Sequence, residues 1–448
     1  MNKKKIKRLI YPAICTGVGM IASLICLILF SVNETGSRSK ENEKEIVGDK
    51  ELAEVVGGVV NPEVDQILSQ VDRLISGYYY DEAVELLNQS SDQYRGDIAL
   101  ETKLQAVTNA KDNLVAYRGV VDHVFFHSLI VDTNRAFDGD YRARGYNLWM
   151  TTVSEFNAIL ESMYEKGFVL VSIHDINEVT KDEQGNRMYK AKDILLPEGK
   201  KPFILSIDDV NYYTYMQNDG FADRLVVTEN GEVKNRYYDA EGNVLIGDYD
   251  VVPLLDRFIK KHPDFSYQGA RGLIAETGYN GALGYRYREK NPETNKYELV
   301  ENYEQLMEEA KVVANRLKET GWEFAVHGWG HKHSAQITYD QFKEDTDLWL
   351  AEVGSIVGAT DVYIYPYGEE VQYPSDKYNY LKLLGFTYYC GVDSSPFLSI
   401  RPYFIRSARR NLDGYSMHFR PEKLADLFDA SQVWDKSRPE ITDADKNG

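Results

Sequence analysis

Cysteine is nearly missing from this sequence. Of three in 448 residues, Cys15 and Cys26 fall in one apolar stretch near the N-terminus, which leaves Cys390 alone in the body. One thiol cannot close an intramolecular disulfide, so a disulfide framework is excluded there and Cys390 reads as a small buried hydrophobe. An excess of positive charge is missing as well: 51 Lys and Arg against 70 Asp and Glu leave a net charge of −19. A nucleic-acid binder needs a basic footprint to neutralise phosphates, so that class is excluded. For the same reason a polyanionic substrate is disfavoured, and a neutral glycan, or one that turns cationic on losing an acyl group, fits better. Long apolar runs are absent except for one, Leu9–Val32, which carries no charge and follows KKKIKR at residues 3–8. A bilayer needs about 20 such residues, and basic flanks stay cytoplasmic. Residues 1–33 therefore predict a cytoplasmic basic end and an uncleaved, single-pass cell-membrane anchor, with everything after Val32 extracellular. A cleaved signal peptide is the rival reading, against which the run is long and no clean small-x-small cleavage site follows it.

Repeats are in short supply too. Val64, Ile67, Leu68, Val71, Leu74 and Ile75 recur at helical spacing, followed by Ala83, Val84, Leu86 and Leu87, then Leu100, Leu104, Val107 and Leu114. GYYYDEAVELL is similar to a tetratricopeptide helix pair, but a stacked solenoid needs at least about three units and only about one and a half are present. Residues 62–118 read as a small all-α spacer, a dimerisation or docking element for a protein partner, reached through a polar linker over 34–61.

What is present in quantity is alternation. VDHVFFHSLI, FVLVSIHDI, KPFILSIDDV, YQGARGLIA, WEFAVHGWGHKHS, DVYIYPYG and FTYYCGVD are strand-like, with amphipathic helical segments between most of them. Strands alternating with helices argue for an α/β fold with a parallel sheet, open or closed into a barrel, over 119–430. Thr151 or Thr152 is placed to cap the first of these helices and Gly167 to end it. Residues 213–247 read as an inserted loop or hairpin, and 431–448 as a flexible tail. The 33 tyrosines suit a sugar-binding cleft, since each pairs an apolar body with a polar tip.

In parallel α/β architectures the active residues gather where strands end. Asp208 and Asp209 end FILSI, His327 and His331 follow WEFAV, Pro366-Tyr367-Gly368 follow DVYIY, and His418 closes the final segment. Two imidazoles spaced HxxxH can share a cation, from a tight loop here because Gly328 and Gly330 intervene. With Asp209 they make the three-ligand set of an open metal site, and Asp208 is left to take a proton from a water the metal acidifies. His127 and His174 also end strand-like runs and could line the cleft. His333 reads as an outer or solvent-facing imidazole, and His123 and His262 as structural.

SIDD, HGWGH, YPYG and SMH, in this order, resemble the signature of polysaccharide deacetylases with a NodB homology domain, carbohydrate esterase family 4. FFHSLIVDTNRAFDGD and VSEFNAILESMYEKGFVLVSIHDI are similar to the entry of exported members, so the resemblance spans about residues 120–425. It implies an irregular (β/α) barrel of the NodB type. It implies Asp208 as general base, and Asp209, His327 and His331 as ligands of a divalent metal, zinc first, with cobalt, nickel or iron suited to the same donors. It further implies the Tyr367 backbone N–H as oxyanion donor, His418 as acid, and Trp329 and Pro366 as cleft residues beside the strand-end His127. The sequence departs from the family at Ile364, where an arginine is usual; Arg406 or Arg409 is the candidate replacement. Asp393 or Asp413 is the candidate partner of the acidic histidine.

The resemblance implies removal of acetyl groups from an N-acetylglucosamine-containing polymer, peptidoglycan or poly-N-acetylglucosamine, outside the membrane. Two alternatives remain open on the sequence: a catalytically silent, membrane-tethered glycan-binding or scaffolding protein, and an O-acetyl esterase using the same site.

Overall fold

The computed structural model describes residues 61–447. The expected anchor at 1–33, and the expected linker except for Asn61, lie outside the described residues. Among the described residues no helix is long and apolar enough to cross a membrane.

Seven parallel strands close into a barrel: β1 (Asp122–Phe126), β2 (Lys201–Asp208), β3 (Leu273–Glu276), β4 (Glu323–Val326), β5 (Val362–Ile364), β6 (Tyr388–Val392) and β7 (Phe404–Asn411). Each pairs with the next, and β7 returns to β1 through Arg410↔Val124 and Asn411↔Phe125. Alternation sorts the side chains of β2. Phe203, Leu205 and Ile207 pack outward under the helices, while Ile204 joins a second cluster with Ala275, Ala325 and Ile364.

The helices form for local reasons. Helix α4 (Val153–Glu165) starts on a capping box in which Thr152 and Glu155 satisfy each other's end of the first turn. Before it come α1 (Pro62–Ser76), α2 (Tyr80–Gln93) and α3 (Ile98–Asp112). The Asn61 and Asp97 side chains accept from first-turn N–H groups of α1 and α3. Val71, Ala83, Leu87 and Leu100 of these helices are buried in the same apolar cluster as barrel residues Leu273, Ala325 and Val362. The Gln268 N–H donates to the Gly77 carbonyl, and the Tyr78 hydroxyl to the Asp264 carbonyl. The three helices thus dock where β3 begins, away from the strand ends that carry the polar motifs.

The structure departs from the sequence reading at three places. FVLVSIHDI is a strand only over Phe168–Leu170, outside the closed ring on the edge of β2. His174 follows on a short 3-10 turn and bonds Glu323 and Asp361, which stand at the entrances of β4 and β5, so it is far from any strand exit. Second, β7 has no hydropathic signature, because three of its eight residues are arginines; Arg409 and Arg410 are buried only because each meets a carboxylate. Third, residues 431–447 are not a loose tail. Arg438 is fully buried and donates to Glu155, to the Asn147 carbonyl and to the Met150 carbonyl. The 213–247 insertion contains a three-stranded antiparallel meander, Arg224–Val227, Val233–Tyr238 and Val244–Gly247.

Candidate active site

A cleft of about 400 Å³ opens where the barrel strands end, lined by Asp208, Asp209, His327, His331, Tyr367 and Arg409 among others. Asp209, His327 and His331 each offer a ligand atom, and these atoms all lie within 4.8 Å of one another. The donor set fits a divalent cation, and second contacts aim each donor. His327 Nδ1 lies 3.0 Å from the Ile364 carbonyl, which can only accept, so Nδ1 carries the proton and Nε2 is left free as a ligand. Burial also holds His327 below the usual imidazole pKa, favouring the neutral form a metal needs. Asp209 accepts from the Tyr213 hydroxyl at 2.5 Å. The HGWGH loop is clamped by Asp345, buried at the foot of it, which accepts from the Trp329 N–H at 2.8 Å and the Gly330 N–H at 2.9 Å.

The backbone is held in a sparsely populated conformation at three cleft positions. Asp209, His331 and Tyr367 have φ of 62°, 48° and 59°. Left-handed residues other than glycine cost energy that the surrounding structure must offset, and they cluster where a side chain has to be aimed against its local preference.

Asp208 is buried inside the barrel mouth. Arg409 grips it with both terminal nitrogens, at 2.6 and 2.9 Å, and also donates to Ser206 at 3.1 Å. Burial works to raise the Asp208 carboxyl, but Arg409 and His327 outweigh it and hold it well below the usual carboxylate range. Arg409 is only 1% exposed and stands over the Phe125 ring. Arg406 faces elsewhere, pairing with Glu370 at 2.8 Å and lying over Tyr373.

The remaining expected site residues divide between cleft and surroundings. His127 lines the cleft, with its Nδ1 buried and without a hydrogen-bond partner among the described residues. Asp413 is near enough to feel it: burial raises that carboxyl, and the Ser416 N–H and then His127 pull against the rise. His418 is not brought to the cleft. It is exposed on the short helix Gly414–Phe419, edge-on to the Phe419 ring and 6.0 Å from the Trp434 ring. Asp413 caps that helix, its carboxylate accepting from the Ser416 N–H. Trp329 does not line the cleft; its indole donates to Glu352 and packs over Gly278. Pro366 is buried behind Tyr367, whose ring stacks on His333 at 3.9 Å. Asp393 is exposed and accepts from the Ser395 N–H.

Trp149 escaped the sequence reading. It lines the cleft, is 39% exposed and stacks on Tyr415 at 5.1 Å. A neighbouring groove of about 450 Å³ shares Trp149, Val392 and Asn411 with the cleft, so the two run together. An exposed tryptophan between polar loops was the available signal.

Comparison with known proteins bears on one stretch of the chain. Residues 298–389 match the family described as polysaccharide deacetylase, a stretch that includes both histidines and the Pro366 turn. No curated protein matches the chain. Among solved structures, the Streptococcus pyogenes deacetylase PplD in complex with acetate aligns over 70% of this chain and 99% of its own, at 12% identity and a TM-score of 0.37. That superposition is too loose to carry anything about the chemistry of this chain.

Proposed function

We propose, from the premise that this chain carries a polysaccharide deacetylase domain and is a hydrolase of carbon–nitrogen bonds, that it removes acetyl groups from N-acetylglucosamine residues of a cell-wall or extracellular polysaccharide. The observation that carries the reading is the gathering of Asp209, His327 and His331 within 4.8 Å beside a carboxylate that none of them needs as a ligand. The basic and apolar segment over residues 3–32 is the ground for assigning the domain to the outer side of the membrane.

Asp209, His327 and His331 would hold the cation, zinc by first choice and cobalt, nickel or iron from the same donors. When bound it supplies a Lewis acid that acidifies water and polarises a carbonyl. Asp208, kept ionised by Arg409, takes the proton from the attacking water as its oxygen bonds to the acetyl carbon. The Tyr367 N–H, turned by the left-handed backbone at that residue, donates to the developing oxyanion. His127 gives its proton to the sugar nitrogen as the carbon–nitrogen bond breaks, releasing acetate and a free amine. His127 takes the role that the family resemblance assigns to His418, because its ring is in the cleft and its Nδ1 has no competing partner. The aromatic pair Trp149–Tyr415 and the adjoining groove provide room for a second sugar, which supports a polymer as substrate.

The test is acetate release and loss of one acetyl per sugar, followed by mass spectrometry, on chito-oligosaccharides and peptidoglycan fragments. Asp208→Asn and His127→Gln are each expected to lower turnover by about 10²–10⁴-fold, the usual worth of a proton-transfer group. His418→Gln is expected to stay within about twofold of the parent. Full activity in His127→Gln together with its loss in His418→Gln would return the acid to His418. Glycan binding without acetate release would favour the silent scaffold, and ester cleavage alone would favour the O-acetyl esterase.

A further inference from the structure

We infer that a second cavity, outside the cleft, binds an oxyanion carried by the glycan. This rests on the polysaccharide reading above for the nature of the ligand, though not for the site itself. The cavity holds about 500 Å³ and lies between the inserted meander, the segment that leaves Asp209 and the turn before Arg288. Four guanidinium groups line it, from Arg135, Arg224, Arg236 and Arg286, against two carboxylates, Asp223 and the exposed Glu289.

The protein does not balance this charge. Asp223 is nearly buried and serves three arginines at once. Arg286 donates to its Oδ1 at 2.8 Å, Arg236 to its Oδ2 at 2.7 Å, and Arg224 Nε stands 3.5 Å from the same Oδ2. Arg286 is 10% exposed, and the Nε of Arg286 and of Arg224 are buried without a hydrogen-bond partner among the described residues. Arg135 is spent on carbonyls, those of Asn218 and Tyr238, which stabilise its position without neutralising it. Partly buried like charges repel at low effective dielectric, and a chain of net charge −19 has no shortage of carboxylates that could have closed the cluster. The fork geometry of guanidinium matches the planar or tetrahedral oxygens of a carboxylate or a phosphodiester. The overall charge argues against a polyanionic substrate, but the field at a site is set by the groups lining it. The ligand class is therefore an acidic glycan, substituted by phosphate or by carboxylate.

The site also touches the metal loop. Thr214 and Gln217 line this cavity, and Arg286 donates to the Tyr212 carbonyl, while Tyr213 between them holds Asp209.

Isothermal titration of the full-length chain with three oligosaccharides tests the inference: neutral chitotetraose, a phosphorylated chito-oligosaccharide and a hyaluronan tetrasaccharide. At least one acidic probe is expected to bind tenfold or more tighter than chitotetraose, and which one does so separates phosphate from carboxylate. Arg224→Gln and Arg135→Gln are expected to remove that preference, and Arg224→Lys to restore part of it. Arg135→Gln keeps the test open if Arg224→Gln does not fold. Equal binding of all three probes, or an unchanged preference in folded variants, overturns the inference. Heat of binding is read without turnover, so an inactive chain with the acidic preference would sink the deacetylase reading and leave this one standing.

Discussion

Asp208 stays charged inside the barrel mouth because Arg409 reaches it with both terminal nitrogens. Removing one member of such a pair strands the other. Arg409→Ala is expected to cost about 3–5 kcal/mol in denaturant unfolding, and turnover should fall with it. Arg409→Lys should recover little, since an ammonium cannot reproduce the two-point grip. His174 is a residue-scale test remote from the cleft. Burial works against its charge, but hydrogen bonds to Asp361 and Glu323 outweigh that and raise its pKa to about 10. A folded pKa above the unfolded value of about 6.5 means that the stabilisation is complete below about 6.5 and fades as pH rises through about 10. The melting temperature of His174→Gln should thus fall furthest below the parent near pH 6, and the gap should close toward pH 10. A gap that does not change with pH would refute the pairing.

At the scale of elements, α1–α3 behave as part of the barrel. Their buried faces share one apolar cluster with residues at the base of the strands. Leu87→Ala is expected to destabilise the chain by about 2–5 kcal/mol, as for other buried leucines, with a single unfolding transition that includes the barrel. Two separate transitions would mark the helices as an independent spacer. Their existence was legible, because apolar residues at helical spacing announce themselves locally. Where they dock was not, because the partners, such as Leu273 and Val362, lie over a hundred positions away. β7 was illegible for the opposite reason. FIRSARRN has no apolar alternation, and only neighbouring strands supply the carboxylates that let its arginines be buried. His174, at the end of FVLVSIHDI, was misplaced because a run of strand-like residues says nothing about which end of a barrel it faces.

On the scale of the whole molecule, a bound cation would tie the exit of β2 to the loop after β4. It would act only on the folded chain, so it should stabilise it by mass action, about 2.7 kcal/mol at a free concentration of 100 times Kd. Dialysis against a chelator should lower the melting temperature and zinc should restore it, while His331→Ala should lose the response. An unchanged melting temperature in all three would argue that the Asp209, His327 and His331 cluster holds no ion. The same long-range gathering produces the arginine cavity, whose four guanidinium groups come from residues 135 to 286.

The sequence by itself determined what is local: six of the seven barrel strands and the helices between them, the motif residues at strand ends, and the donor types that suit a divalent cation. Hydropathic period and short-range spacing are enough for these, because they depend on neighbours within a few residues. Only the tertiary structure decided between Arg406 and Arg409, put His127 rather than His418 in the cleft, and set four arginines around one buried carboxylate. Arg406 and Arg409 are an odd number of residues apart and so point to opposite faces of β7; which face is inward follows from ring closure, and that is a property of seven strands together.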